Sequence, residues 1–420
     1  MSSTINVEFQ VAGTPVPIES FDITGSSDGS TGHVVAMTGM TQLAENGIDM
    51  VALSISSPSS VPVDVFVEID DQLTQIFSGE FLSAGYKYNA TSVSIHARDW
   101  SGPLVDQKRV LVSIGNSGAL APSQDQGSGI STQNKHVSDI VTAIANQFSL
   151  TPDLRISQGN DPFIGTIFGT SADTILTTTP QNLWAILNRL AKDTGNIVYT
   201  TPQKSLVFGP PGAGLPNIPI TYMVNPIPVG SYGAESLDID HNPRRNMTFN
   251  VVVLSYDPTK SALTTGHASV VGQNFSTGGG TTVNPGLWTG QQAQSVSSAT
   301  SNTSATSSNT KIPIYTYHVD GLTQAQADQR AQAIAFDISK RELIAHVKTD
   351  CIPTVMPSNP ATLAGLINQE FAAHQYFVTN YSHHFKMTPK SKVGTFHTEL
   401  KLLDQQPIGA GASTSTQGSD

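Results

Sequence analysis

Apolar residues fall at every second position over long stretches of this chain, and at every third or fourth over three shorter ones. In Val61–Ile69 the alternation runs through Val63, Val65, Val67 and Ile69. Leu73–Leu82 and Ser92–Arg98 continue it, with Asp70-Asp71 and Asn89 as turns. Alternation of this kind lines one face of a pleated strand, so residues 1–115 are expected to be strands throughout. The longest pattern lies near the C-terminus. Val378, Tyr381 and Phe385 recur close to two-residue spacing. Beyond polar Lys386–Lys392, which holds Pro389, one face carries Val393, Thr395, His397, Glu399 and Lys401, and the other Phe396, Leu400 and Leu402. Tyr376–Leu403 is therefore predicted to be a long antiparallel hairpin. An apolar face of that length needs a sheet to close on, which predicts a barrel or sandwich at the C-terminal end.

The helical rhythm appears first in Val137–Phe148, apolar at 137, 140, 141, 144 and 148, with Thr151-Pro152 as its stop. It returns at Leu183, Ile186, Leu187 and Leu190. There Thr179 is the expected N-cap, Pro180 the first helical residue and Gly195 the C-terminal stop. Asn196–Thr200 and Ser205–Phe208 then read as a small hairpin about Thr201–Lys204. The third helix is expected from the capping box Thr323–Gln326 through Ala327, Ala331, Ile334, Ala335 and Ile338 to about Arg341. It lies between strands at Ile312–Val319 and Leu343–Cys351, and a further strand is expected at Gly365–Glu370.

Between these elements lie segments without period. Ile114–Lys135 is rich in Gly, Ser, Gln and Asn, and Gly209–Tyr232 in Pro and Gly; both read as linkers. Gly272–Thr310 is low in complexity and too poor in apolar surface to offset the entropy of ordering. It reads as an insertion, with Trp288 as an isolated apolar handle. The tail after Leu403 is polar and expected to fray.

Composition narrows the functional classes. Charged residues make up 13% of 420, and the net charge is −11. A nucleic-acid grip needs clustered Lys and Arg, so specific nucleic-acid binding is not expected. An acidic surface is compatible with DNA passing through a lumen without sticking. Arg244 and Arg245, the only adjacent arginine pair, read either as a contact to a neighbouring subunit or, preferably, as a solvated turn after Pro243. A single cysteine, Cys351, excludes intrachain disulfides and multi-thiolate zinc clusters, and is expected to fill core space in a strand. MSSTINVEFQ lacks the basic and apolar regions of a secretory signal, and no apolar run approaches ~20 residues. Synthesis and folding in the cytoplasm, with no membrane segment, are the expectation.

Candidate chemistry is sparse. His383-His384 suggests metal binding, but adjacent strand residues point to opposite faces and cannot chelate one ion together. His397, across the hairpin, could approach one of them and leaves room for a three-histidine site. No G-x-S-x-G, H-E-x-x-H or Walker sequence occurs, and the carboxylate pair Asp70-Asp71 is explained by a solvated turn. No catalytic residue, cofactor or metal ligand is assigned, and the chain is expected not to be an enzyme.

Five stretches, in order, share one resemblance. Ala97–Asp106 (ARDWSGPLVD) presents Arg98, Asp99, Leu104, Val105 and Asp106, with Trp100 where a small or basic residue is usual; a local ion pair of Arg98 and Asp99 would also explain that pair. The helix and hairpin present Pro180, Leu183, Leu187, Arg189, Leu190, Ala191, Gly195, Val198, Leu206, Val207 and Phe208, with Trp184 one place late. Val251, Val253, Ser255, Tyr256 and Asp257 follow within Ser236–Asp257. Next come Gly321, Leu322, Thr323, Ala327, Arg330, Ala331 and Ala333. The closing hairpin supplies Tyr376, Val378, His383, Phe385, Gly394, Phe396, Thr398, Leu400 and Leu402. Together they resemble phage tail baseplate hub proteins, the late-control D-type or Mu-like family of contractile tails, which is related to type VI secretion spike proteins. The resemblance covers most of residues 1–115, 137–208, 236–257 and 312–403. Pro357-Ser358-Asn359-Pro360 departs from the family's Pro-Gly turn.

This resemblance implies a mostly β, multidomain hub-like fold with an α+β middle domain and two small antiparallel β-barrels per chain. The first barrel would span 1–115, a linker 116–136 and the helix-plus-hairpin domain 137–210. Residues 211–257 would be a linker and the first strands of the second barrel, 272–311 the insertion, 312–405 the rest of that barrel with its helix, and 406–420 a disordered tail. It further implies a homotrimer whose six barrels match a hexameric tail tube protein above and a trimeric central spike protein below. Other baseplate proteins would be partners, and a channel would pass DNA, in a virion assembled in the bacterial cytoplasm. Two other classes remain open. One is a receptor- or carbohydrate-binding tail protein, for which Trp100 and Trp288 are the candidate aromatic platforms; the other is a tail-associated cell-wall hydrolase.

Overall fold

The computed structural model describes residues 5–27, 29–54, 60–69, 72–109, 111–112, 130–131, 135–156, 161, 181–194, 196–241, 249–257, 262–270, 314–318, 324–339, 343–387 and 394–404. Asp70-Asp71, Thr179-Pro180, Gly195, Pro243–Arg245, Gly321–Thr323, the 272–311 insertion with Trp288, the 406–420 tail and most of the 116–136 linker lie outside them.

The protein is mostly β. In chain order, strands of four or more residues are β1 (Ile5–Val11), β2 (Ser20–Ser26), β3 (His33–Gly39), β4 (Pro62–Ile69), β5 (Gln72–Lys87), β6 (Ser92–Asp99), β7 (Thr151–Leu154), β8 (Ile197–Thr200) and β9 (Ser205–Gly209). They continue with β10 (Ile218–Thr221), β11 (Tyr232–His241), β12 (Phe249–Asp257), β13 (Ala262–Val270), β14 (Ile314–His318), β15 (Leu343–Asp350), β16 (Pro360–Ala364), β17 (Tyr376–Met387) and β18 (Gly394–Asp404). The longer helices are α1 (Val137–Gln147), α2 (Leu183–Thr194) and α3 (Gln324–Ser339).

One thirteen-stranded sheet runs through most of these strands. From the short strand Thr14–Pro15 it passes through β1, β4, β5, β6, β3 and β2 to β17, and then through β16, β10, β11 and β15 to β18. Because β18 also pairs with β17, the last six strands form a circuit of pairings that returns to its start. All pairings in it are antiparallel except β10 with β11 and with β16, which are parallel. The strand pattern read from the sequence is present here: Val63, Val65 and Val67 are fully buried while their neighbours are not.

Four apolar cores result. The first gathers β1–β6 around Phe9, Phe21, Val65 and Ile95. The middle core joins α1, α2 and the three-stranded sheet β7-β9-β8, through Ile140, Ile144, Leu187 and Phe208. The third fills the six-strand circuit with Ile220, Val347, Leu363, Tyr376 and Leu402. The smallest lies between α3 and the sheet β13-β12-β14, where Val251 and Val253 meet Ala327 and Ala331. Phe249–Asp257 and Ile314–His318, read from the sequence as strands of a second barrel, thus sit in a separate sheet with α3 on its face.

Local differences from the sequence reading have physical causes. Helix α2 starts at Leu183, and Asn182 caps it, its Oδ1 accepting the Ala185 N–H at 2.6 Å. The strand expected at Gly365–Glu370 is instead Pro360–Ala364, which buries Ala361 and Leu363. Gly365 ends it at φ +75, against the Tyr222 carbonyl and Val224, where a Cβ has no room. Residues 1–115 also contain short helices at Met40–Glu45, Met50–Ser54 and Gly102–Asp106. Cys351 is buried but lies one residue past β15, in the first core.

Candidate functional site on the shared hairpin

The β17–β18 hairpin contributes to both the first and the third core. From its open end, Tyr376, Val378, Tyr381, Leu400 and Leu402 point into the third core. Toward its tip, Phe385 and Phe396 enter the first, with Met387 packed beside them. There Phe385 stacks on Phe21 with ring centres 5.3 Å apart, and Phe396 meets Phe21 edge-on at 5.8 Å. The handover between cores follows strand pairing: β17 starts against β16 and continues against β2. A bulge after Val378 shifts the two-residue period by one, which keeps Tyr381, His383 and Phe385 on the buried face with Tyr376 and Val378, so a single hairpin serves two cores.

His383 sits at the handover. It is fully buried between Tyr381 and Phe396, with ring centres 5.1 and 5.4 Å away, and its Nδ1 shares a hydrogen bond with Thr398 Oγ1 at 3.0 Å. Burial, helped by the neighbouring His384, pushes its pKa down to about 3, so the ring is neutral. His384 points the other way, as expected of adjacent strand residues. It meets His397, its cross-strand partner, and Glu399, which the sequence reading did not single out. The arrangement is two histidines and a carboxylate rather than three histidines. Glu399 was legible as a same-face neighbour two residues after His397. Asp22, which bonds His384, is 362 residues away and only the β2–β17 pairing brings it in.

The Ala97–Asp106 motif forms a clasp between the first and middle cores. Arg98 does not pair with Asp99: its guanidinium bridges Glu80 at 2.7 Å and Asp106 at the end of the short helix. Asp99 instead accepts from the backbone N–H groups of Gly32 at 2.9 Å and Ser101 at 3.1 Å, and from the Ser101 hydroxyl. Burial raises its carboxyl above the ordinary range, against the lowering effect of those bonds. Trp100 is 7% exposed and belongs to the middle core; its indole N–H donates to Ser78 Oγ at 3.1 Å, and Lys204 lies over its ring. It therefore offers no open aromatic platform for a glycan. Trp184 ties the same two regions together by donating to the Gly29 carbonyl at 2.8 Å.

Among the described residues, exposed apolar side chains gather in two clusters near the large sheet. Met223, Val224, Ile227 and Val229 are exposed on the loop beside Gly365, as is Ile367 just beyond that turn. Leu82, Tyr86 and Tyr88 are exposed at the far end of β5, with the two tyrosine rings stacked 6.4 Å apart. Exposed apolar clusters of this kind mark contact surfaces.

No family profile and no curated protein matches the sequence. Solved structures do match the fold. The tail protein from Neisseria meningitidis MC58 is 14% identical, with a TM-score of 0.59 over 97% of this chain and 98% of its own. The 43 kDa tail protein of prophage MuSo2 from Shewanella oneidensis is 11% identical, with a TM-score of 0.56 over 97% and 98%. At these identities the likeness is one of fold, and it extends from end to end. The chain has the fold of phage tail proteins, the group to which its motifs pointed.

Proposed function

We propose that this chain is a structural hub of a phage or phage-derived tail, a homotrimer that adapts a hexameric tail tube to a trimeric central spike. The observation that carries this reading is the fold likeness to two tail proteins over nearly the full length of both partners.

Two barrels per chain are part of the proposal. The closed circuit of six pairings in β10, β11 and β15–β18 supports one of them. The series β1, β4, β5, β6, β3 and β2, with its own core and the hairpin tip lodged in it, supports the other. Three chains would then present six barrels in a ring, giving each tube subunit an equivalent surface on a threefold body. The α1–α2 domain between them, and the α3 sheet, would face neighbouring baseplate proteins. Net charge of −11 supports a lumen that DNA crosses without specific binding. The role is architectural rather than catalytic, in a virion tail assembled in the host cytoplasm.

The test is the native mass by light scattering on a sizing column, alone and after mixing with the spike protein. A trimer of 44.4 kDa chains has three times that mass, about 133 kDa. A particle of that mass in either condition is the expected result. A monomer in both conditions would overturn the hub assignment.

A further inference from the structure

On the outward face of the hairpin, Asp22 of β2, His384 of β17 and His397 of β18 lie side by side across three neighbouring strands. Glu399 stands two residues along β18 on the same face. His384 Nδ1 lies 2.6 Å from Asp22 Oδ1. An ionised carboxylate only accepts, so in the neutral imidazole the proton lies on Nδ1 and Nε2 carries the lone pair. That Nε2 is buried and has no hydrogen-bond partner. It points toward Glu399, whose Oε2 is 3.7 Å from it and whose Oε1 is 3.8 Å from His397 Nε2. One donor atom from each of His384, His397 and Glu399 lies within 4.8 Å of the others.

We propose that His384, His397 and Glu399 bind one divalent transition-metal ion of the zinc class, with Asp22 fixing the orientation of His384. Zinc bonds of about 2.0–2.2 Å hold tetrahedral donors about 3.4 Å apart. The two histidine–glutamate separations are a few tenths of an ångström from that value. Turning the half-exposed Glu399 carboxylate and sliding the stacked imidazoles, now 4.8 Å apart at their centres, completes the approach. Two imidazoles and one carboxylate select a borderline-soft ion over magnesium or calcium, which prefer all-oxygen sites. The Asp22–His384 bond is the carboxylate–imidazole pairing that commonly stands behind a metal-bound histidine. Lys348 neighbours Glu399 in register, but its ammonium is held by Glu235 at 2.9 Å. The solvent side of the site is open to water as a fourth ligand. Bound there, the ion links β17 to β18 on the face opposite His383, where the hairpin passes from one core to the other.

Tag-free, chelator-stripped protein titrated with zinc chloride in a calorimeter tests the proposal, with cobalt(II) absorption as a second readout of coordination geometry. One ion per chain is expected, with a rise in melting temperature on zinc addition and no response to magnesium. His397→Ala and Glu399→Gln should each weaken zinc at least tenfold, and Asp22→Asn about tenfold. All are partly exposed positions, and circular dichroism of the stripped variants checks that they fold. No zinc binding at submillimolar concentration would overturn the site. So would binding by the His384→Ala/His397→Ala double variant equal to that of the unsubstituted chain.

Discussion

Single positions show how closely the strands are fitted. Gly25 faces Tyr381 across β2 and β17, and a Cβ there would meet the tyrosine ring at 2.4–2.6 Å. The ring is buried and cannot swing out without opening the third core. Gly25→Val is expected to lower stability by about 1–3 kcal/mol, the usual cost of overpacking, read as a lower urea midpoint; an unchanged midpoint would mean that the ring yields freely. Asp99 gives a second case. Asp99→Ala strands the donors on Gly32 and Ser101 and should cost about 2–4 kcal/mol, more than Asp99→Asn, which keeps an acceptor. The pH dependence has a definite sign. Because burial raises the Asp99 carboxyl in the folded state, the native chain takes its proton at higher pH than the unfolded chain, whose ordinary value is 3.8. This group's contribution to stability is therefore lost as pH rises through the folded value. The unsubstituted protein should gain on Asp99→Asn as pH falls from 7 toward 4, in parallel urea titrations.

At the scale of elements, the hairpin decides most. It pairs with three other strands besides its own two arms and places aromatic residues in two cores. Phe385→Ala and Phe396→Ala should each cost about 3–5 kcal/mol, as aromatic truncations in a packed core do, measured by chemical denaturation. Hydrogen exchange gives a sharper check. The amides of Tyr381–Phe385 and of Thr398–Leu400 should be among the slowest in the protein, since releasing them opens both cores. Exchange there as fast as at Tyr86 and Lys87, beside the turn from β5 into β6, would show that the two cores unfold independently of the hairpin.

For the whole molecule, the proposed trimer must bury something. The exposed residues Met223, Val229 and Ile367 on one side, and Leu82 and Tyr88 on another, are the candidates. A charge placed in an apolar contact is desolvated without a partner. Val229→Asp is accordingly expected to shift the native mass from trimer toward monomer at fixed concentration, while leaving the melting temperature of the dilute chain within about a degree, as a surface substitution does. A mass distribution that does not move would remove this loop from the interface.

Much of this protein was legible in its sequence because period and turn chemistry are local. The alternation in Val61–Ile69 and the helical stripe at Leu183–Leu190 fix element type and facing wherever they occur. The ordered motifs pointed to the tail-protein fold that the structure shares. Residue spacing could not say which strands pair across hundreds of residues. It therefore missed that Phe249–Asp257 leaves the large sheet to pack under α3, and that Pro360–Ala364 rather than Gly365–Glu370 closes beside β17. Tertiary structure alone placed Asp22 behind His384 and put Arg98 on Asp106 and Glu80 rather than on Asp99. The Asp22 contact depends on register between strands hundreds of residues apart, which is set by the packing of whole faces and leaves no mark at any one position.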